Sequence, residues 1–173
     1  QYGFEALREG RLPLWNKYLN CGTPYLANVQ SALLYPLNAI FFLKNTARAI
    51  NWSFILHAFL AGLGIVLFLR ELKLPALSQL CGSATFVFSA PFLCQVAPGH
   101  LTLINTIAWT GFIFWSILRL ASDHGIRNLL LLSLFLSLAL LAGNTHNFFY
   151  LMIAAALYGS FLFVSLAANG QPK

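Results

Sequence analysis

An all-α bundle crossing a lipid bilayer several times is the fold this sequence predicts, and three observations predict it. Of 173 residues, 59% are hydrophobic and only 8% charged, where an average soluble domain carries roughly 25% charge. The apolar residues fall into five runs, most of them close to the 20 or so residues needed to cross about 30 Å of hydrocarbon. The links between runs are short, so sequential helices must run antiparallel. A surface this poor in charge excludes a soluble enzyme, a disordered chain and a disulfide-stapled secreted domain. The expected architecture is a polytopic bundle of about five spans (residues 51–173), preceded by a structured outer loop with short amphipathic helices (residues 1–50).

The first 50 residues differ in kind from the rest. They hold Asn16, Asn20, Asn28, Asn38 and Asn45, and the prolines Pro13, Pro24 and Pro36. Phe4, Leu7 and Arg8 with Glu5 suggest one or two amphipathic turns ended at Gly10. Residues 33–43 are apolar, yet too short to span and broken by Pro36. The segment reads as a loop hugging the interface, with short helices lying on the bilayer.

Five spans follow. The first covers 52–69 and the second 76–97, where Pro91 predicts a kink near the end. The third covers 101–121. The fourth, 128–143, is short and needs Arg127 to snorkel or the bilayer to thin. The fifth covers 148–168. Residues 70–75, 98–100, 122–127 and 144–147 link them. Ala58 and Gly62 form a small-residue pair suited to close helix packing.

A net charge of +6 comes from only ten Lys and Arg, scattered between apolar runs. That pattern sets topology and excludes nucleic acid as a partner. Arg70, Lys73, Arg119, Arg127 and Lys173 fall on one side. Links 98–100 and 144–147, on the other, carry no Lys or Arg. The N-terminal segment shares that side and brings only Lys44 and Arg48 close to the bilayer. The positive-inside rule then places the N-terminal segment outside and Lys173 in the cytoplasm. The chain opens on Gln1 with no signal pattern, so it is expected to be an internal piece of a longer protein. Cys21, Cys81 and Cys94 read as small hydrophobes with lone thiols, and a Cys21–Cys94 disulfide near the outer face is the alternative.

Polar groups converge on the outer side. His100 ends one link; Asn144, His146 and Asn147 fill another; Asn105 lies one turn into the third span. No Asp, Glu, Lys or Arg lies within a span core, which argues against an ion-coupled transporter. His57 is the one ionisable residue within a span, roughly 8 Å along its axis. It serves either as a neutral side chain bonded to a neighbour or as the lining of an outward cavity. Loop Asn and His residues can equally do no more than satisfy backbone and water. Two His do not make a metal site, and no HExxH, CxxC, GxSxG or phosphate-cradling loop is present.

Two stretches carry a resemblance. Gln1-Tyr2 is followed by Arg8-Glu9-Gly10-Arg11-Leu12-Pro13-Leu14-Trp15-Asn16-Lys17-Tyr18, then by Gly22-Thr23-Pro24-Tyr25-Leu26-Ala27-Asn28-Val29-Gln30 and Tyr35-Pro36. This string resembles the first outer loop of the YfhO-like bacterial membrane proteins, within the GT-C superfamily of polytopic glycosyltransferases. Leu56-His57, Gly99-His100, Ala108-Trp109, Ala142-Gly143 and Phe149-Tyr150 also fit.

The resemblance implies an enzyme of the bacterial cytoplasmic (inner) membrane. Such an enzyme takes a sugar from a polyprenyl-phosphate carrier at the outer face and passes it to a glycan, teichoic acid, lipid or protein. A carboxylate of the first outer loop acts as general base or holds a divalent cation. In the family that Asp precedes the Gln matching Gln1, so it lies outside this sequence and the piece alone is expected to be inactive. Glu5 and Glu9 both read as surface members of a short helix, with substitution by Glu5 as the alternative. By the same resemblance Trp15, Asn16, Tyr18, Gly22, Pro24, Asn28, Gln30 and Tyr35 shape the substrate site. His57, His100, Asn144 and His146 are the expected polar contacts to donor phosphate or acceptor. A lipid-carrier flippase or transporter, which needs a polar path through the bundle, is one alternative. A non-catalytic membrane scaffold lacking the acid is the other.

Overall fold

The computed structural model describes residues 2–43 and 45–168. The expectations attached to Gln1, Lys44 and Lys173 therefore lie outside the described residues.

The N-terminal segment is built from short elements. Helix α1 (Tyr2–Arg8) buries Gly3, Phe4 and Ala6 and has Glu5 in its first turn and Arg8 in its last, matching the helix dipole. Phe4 meets the rings of Phe41 and Phe42. The Arg8 guanidinium donates to the carbonyls of Phe41 and Phe42, clasping α1 to the 3-10 helix Pro36–Phe42. Strands β1 (Trp15–Asn16) and β2 (Thr23–Pro24) pair antiparallel, Trp15 opposite Pro24. Their connection needs positive φ at Asn20, Cys21 and Gly22. At Gly22 a side chain would stand 2.4 Å from the Trp15 indole nitrogen, so only glycine fits. A second 3-10 turn, Val29–Ser31, leads into Tyr35.

Helix α2 (Thr46–Glu71) begins before the apolar run does, because Asn45 caps it by accepting the Arg48 N–H at 3.1 Å. The apolar run 76–97 yields α3 (Ala76–Val87) and a single turn, α4 (Ala90–Leu93). The helix stops where the Ser89 hydroxyl donates to the Phe86 carbonyl at 2.8 Å, and Pro91 falls in the first turn of α4, where no N–H is missed. The run 101–121 forms α5 (Leu101–Ile107) and α6 (Thr110–Ser122), interrupted at Ala108-Trp109. Helices α7 (Ile126–Leu141) and α8 (Thr145–Ala168) complete the described residues.

Among the described residues three helical stretches are long and apolar enough to cross a membrane: Thr46–Glu71, Leu101–Ser122 and Thr145–Ala168. Helices α3 and α7 are apolar but only 12 and 16 residues long, about 18 and 24 Å at roughly 1.5 Å per residue. The chain is thus mainly helical, with three stretches of the kind that mark a membrane protein.

Helix α2 packs against α3, α5 and α6, and α6 in turn against α7 and α8. The tightest seam is at Gly64 and Gly111: a Cβ on Gly111 would lie 2.3 Å from the Gly64 carbonyl carbon, so the two backbones touch. The Ala58/Gly62 pair lies toward α3, where the Ser83 hydroxyl donates to the Gly62 carbonyl at 3.1 Å. Tyr35 and Ala32 of the N-terminal segment join Trp109, Phe112, Ile113 and Ala139 in one buried cluster.

Residues 27–30 lie against 143–146, and Phe4, Tyr25 and Asn38 share a cavity with Gly99 and Leu101. The N-terminal segment and the links around 98–100 and 144–147 therefore occupy one end of the bundle. At the other end, the Trp115 indole donates to Glu71 at 3.1 Å, and the Asn128 amide donates to the backbone and carboxylate of Asp123.

Candidate functional site at the N-terminal end of the bundle

Four of the sequence-predicted residues meet in one cleft. Asn28 and Gln30 face Asn144 and His146 across a space of about 440 Å³, with Ala27, Val29, Gly143 and Thr145 completing the wall. Local capping sets this geometry. The Asn28 side chain accepts the Gln30 N–H at 3.0 Å and starts the 3-10 turn. The Asn144 side-chain Oδ1 accepts the Asn147 N–H at 3.0 Å and the Asn147 side-chain amide at 2.9 Å, opening α8. With both Asn oxygens engaged, each NH₂ group remains as a donor. Gly143 lets the walls approach. Its φ is +97°, and a Cβ there would sit 2.9 Å from the Ala32 methyl and 3.0 Å from the Val29 carbonyl.

His146 is exposed on the first turn of α8. Its Nε2 lies 3.1 Å from the Tyr150 hydroxyl, with the rings edge-to-face at 4.9 Å. The Tyr150 hydroxyl can donate to Nε2, which leaves the imidazole proton on Nδ1, or accept from it. Among the described residues no carboxylate lines this cleft. Amide, imidazole and backbone N–H groups at the start of a helix suit an oxygen-rich, anionic group.

Tyr35 and His57 form a second centre, wholly buried, with a partner that sequence reasoning left without a role: Trp109. The indole N–H donates to the Tyr35 oxygen at 2.9 Å. The Tyr35 hydroxyl lies 2.8 Å from His57 Nε2, and His57 Nδ1 lies 2.7 Å from the Ser53 carbonyl. A carbonyl can only accept, so Nδ1 carries the proton and Nε2 receives the one from Tyr35. Burial pushes the Tyr35 hydroxyl above the usual tyrosine range, and the Trp109 bond offsets only part of that. It stays protonated and able to donate. Every polar group in this chain of bonds is satisfied, so His57 acts as the neutral, bonded histidine of the two readings the sequence left open. It ties the N-terminal segment to α2 and, through Trp109, to the start of α6.

The remaining predicted residues lie apart. Trp15 and Tyr18 are exposed on the two-stranded unit, where the Tyr2 hydroxyl donates to the Trp15 carbonyl at 2.8 Å. Asn16 is buried and accepts the Tyr18 N–H at 3.0 Å, shaping the turn. Gly22 and Pro24 belong to the same hairpin. His100 is exposed at the position before α5 and makes no capping bond with its side chain. Glu5 lies on the exposed face of α1. Asn105 is fully buried in α5, with no hydrogen-bond partner for either side-chain atom. The three cysteines are free and exposed.

Among the described residues no three His, Cys, Asp or Glu side chains converge. The residues present do not by themselves fit a divalent cation, and no step is assigned to one. Comparison with family models, curated proteins and solved structures found no match to this chain.

Proposed function

We propose that this chain is the N-terminal-loop and bundle portion of a YfhO-like, GT-C-type membrane glycosyltransferase that uses a polyprenyl-phosphate-linked sugar. The reading rests on one observation above the rest: the loop bearing Asn28 and Gln30 meets the link bearing Asn144 and His146 in a polar cleft at one end of an apolar bundle. A donor of this class has a membrane-soluble tail and an anionic, hydroxylated head, and so needs a polar pocket directly above apolar helices. The amides of Asn28 and Asn144 and the Nδ1–H of His146 would donate to the phosphate oxygens. Trp15 and Tyr18 would border the approach of the glycan, teichoic-acid, lipid or protein acceptor.

In this proposal the helices make five crossings. The α3–α4 pair and α7 serve as the second and fourth, and the bilayer thins around them while Arg127 snorkels. The N-terminal end faces outward from the bacterial cytoplasmic membrane, and the C-terminus lies in the cytoplasm. The base that deprotonates the acceptor hydroxyl is the loop carboxylate implied by the resemblance, with Glu5 as the substitute in this chain.

The test is lipid retention. The chain in nanodiscs is exposed to undecaprenyl phosphate and to undecaprenol, and bound lipid is counted by native mass spectrometry. The phosphate lipid should be retained preferentially, and the Asn144→Ala/His146→Ala pair should weaken it about a hundredfold, the loss of two charge-assisted hydrogen bonds at roughly 1.5 kcal/mol each. Equal retention of both lipids, or indifference to the double substitution, would remove the reading.

A further inference from the structure

A groove of about 390 Å³ runs between α6, α7 and α8, toward the end of the bundle opposite the polar cleft. Helix α6 packs against both α7 and α8, while those two touch each other little, and the gap left between them is the groove. Leu120 and Leu132 line it, and α8 contributes the small residues Ala155, Ala156 and Gly159 that keep it open. A Cβ on Gly159 would meet only Ile117 Cγ2, at 3.8 Å. Along α8 the lining extends from Met152 to Leu166, about 21 Å at roughly 1.5 Å per residue. Spreading 390 Å³ over about 21 Å gives a mean section of about 19 Å², or about 5 Å across. Among the described residues the one N–H or O–H side chain on the groove is that of His124, exposed in the link after α6. Beside it the Asp123 carboxylate accepts the Gly125 N–H at 3.1 Å and the Asn128 amide at 3.1 Å. Arg119 lies over the Trp115 ring and Arg127 stands in the first turn of α7; among the described residues neither is ion-paired. Two arginines against one carboxylate leave this end of the groove positive.

We propose that this groove seats one acyl chain of an anionic diacyl phospholipid, with His124 donating to its phosphate. The section selects the occupant. A helix with its side chains is about 10 Å across and too wide to enter. An extended hydrocarbon chain, whose carbons pack at roughly 4 Å, fills such a space in single file. A polyprenyl chain carries a methyl branch on every isoprene unit and is too broad for it. The length agrees, since one leaflet is half of the roughly 30 Å hydrocarbon core and the groove continues to headgroup depth. Charge selects the head. The arginines attract anionic lipid, as basic pockets between membrane helices do, and an imidazole N–H bonded to a phosphate oxygen is charge-assisted. The acyl chain passes from one apolar medium to another, so packing and not hydrophobic transfer holds it. The inference needs the helices to lie in a membrane. It does not need the glycosyltransferase reading, whose cleft is at the opposite end.

The experiment is native mass spectrometry of the 173-residue chain released from nanodiscs of phosphatidylglycerol and phosphatidylcholine in equal amounts, with matched acyl chains. One phosphatidylglycerol should stay bound in preference to phosphatidylcholine. Gly159→Leu plugs the groove at a position where a side chain has room, so the bundle keeps its fold. Its unfolding midpoint in detergent should not drop, while its preference for phosphatidylglycerol should vanish. His124→Ala should weaken retention about tenfold, the loss of one charge-assisted hydrogen bond. Undecaprenyl phosphate retention should be unchanged in both variants. Equal retention of the two phospholipids by the parent chain, or phosphatidylglycerol held as tightly by Gly159→Leu as by the parent, overturns the inference. So does loss of undecaprenyl phosphate in Gly159→Leu, which would give the groove to that lipid. A parent dimer that Gly159→Leu splits overturns it as well, because the groove would then seat a second copy. A parent chain that retains phosphatidylglycerol in this way but shows no preference for undecaprenyl phosphate supports the groove site and defeats the proposed function.

Discussion

Two histidines in this molecule share a side chain and differ in everything around it. His57 lies at zero exposure between Tyr35 and the Ser53 backbone, both ring nitrogens engaged. His146 stands exposed on the wall of a cleft, one nitrogen beside Tyr150 and the other available. The same imidazole is a rivet in one place and, in the function proposed above, a recognition group in the other. What decides is whether a second element closes over it: Tyr35, itself bonded to Trp109, closes over His57, whereas His146 is exposed and meets Tyr150 of its own helix. A histidine inside an apolar run is therefore a poor guide to a site by itself.

The contrast can be broken most forcefully at the rivet. Tyr35→Phe strips the oxygen that Trp109 donates to and the proton that His57 accepts, leaving two buried polar atoms unpaired. A loss of about 2–3 kcal/mol in unfolding free energy is expected, measured by denaturant titration in detergent micelles; an unchanged midpoint would mean the buried chain of bonds contributes nothing. A smaller effect is expected at the cleft wall. Gly143→Ala forces a side chain into φ +97° against Ala32 and Val29, at a cost of about 1–2 kcal/mol, and should speed proteolytic cleavage within residues 27–32. Unaltered cleavage would show that loop and link do not depend on this contact. The smallest effect belongs to the exposed His146. His146→Ala should shift stability by no more than about 0.5 kcal/mol, and a loss comparable to that of Tyr35→Phe would erase the distinction between the two histidines.

Hydropathy made the long elements legible. Helices α2 and α8 and the stretch Leu101–Ser122 follow from apolar length alone, because lipid solvation is decided residue by residue. Boundaries followed other rules. Asn45 started α2 before its apolar run through a capping bond, and Ser89 ended a helix inside an unbroken apolar run through a bond to Phe86. Hydropathy sees neither. The meeting of Asn28 and Gln30 with Asn144 and His146 was legible only as a shared side of a bundle with short links. The Tyr35–His57–Trp109 chain of bonds was not legible at all, since nothing in the period of a helix encodes what a distant loop places over it.

The backbone contact of Gly64 with Gly111 has a consequence for how the molecule is made. Helix α2 leaves the ribosome well before α6, and between them come α3, α4 and α5. Its narrow glycine groove must wait in the membrane, presented to lipid, until a matching groove arrives from a helix that is not its sequential neighbour. Assembly of this seam is therefore a late event that follows insertion. A ribosome-stalled chain ending before α6 would hold α2 beside α3 with its Gly64 face still open to whatever small-residue surface reached it first.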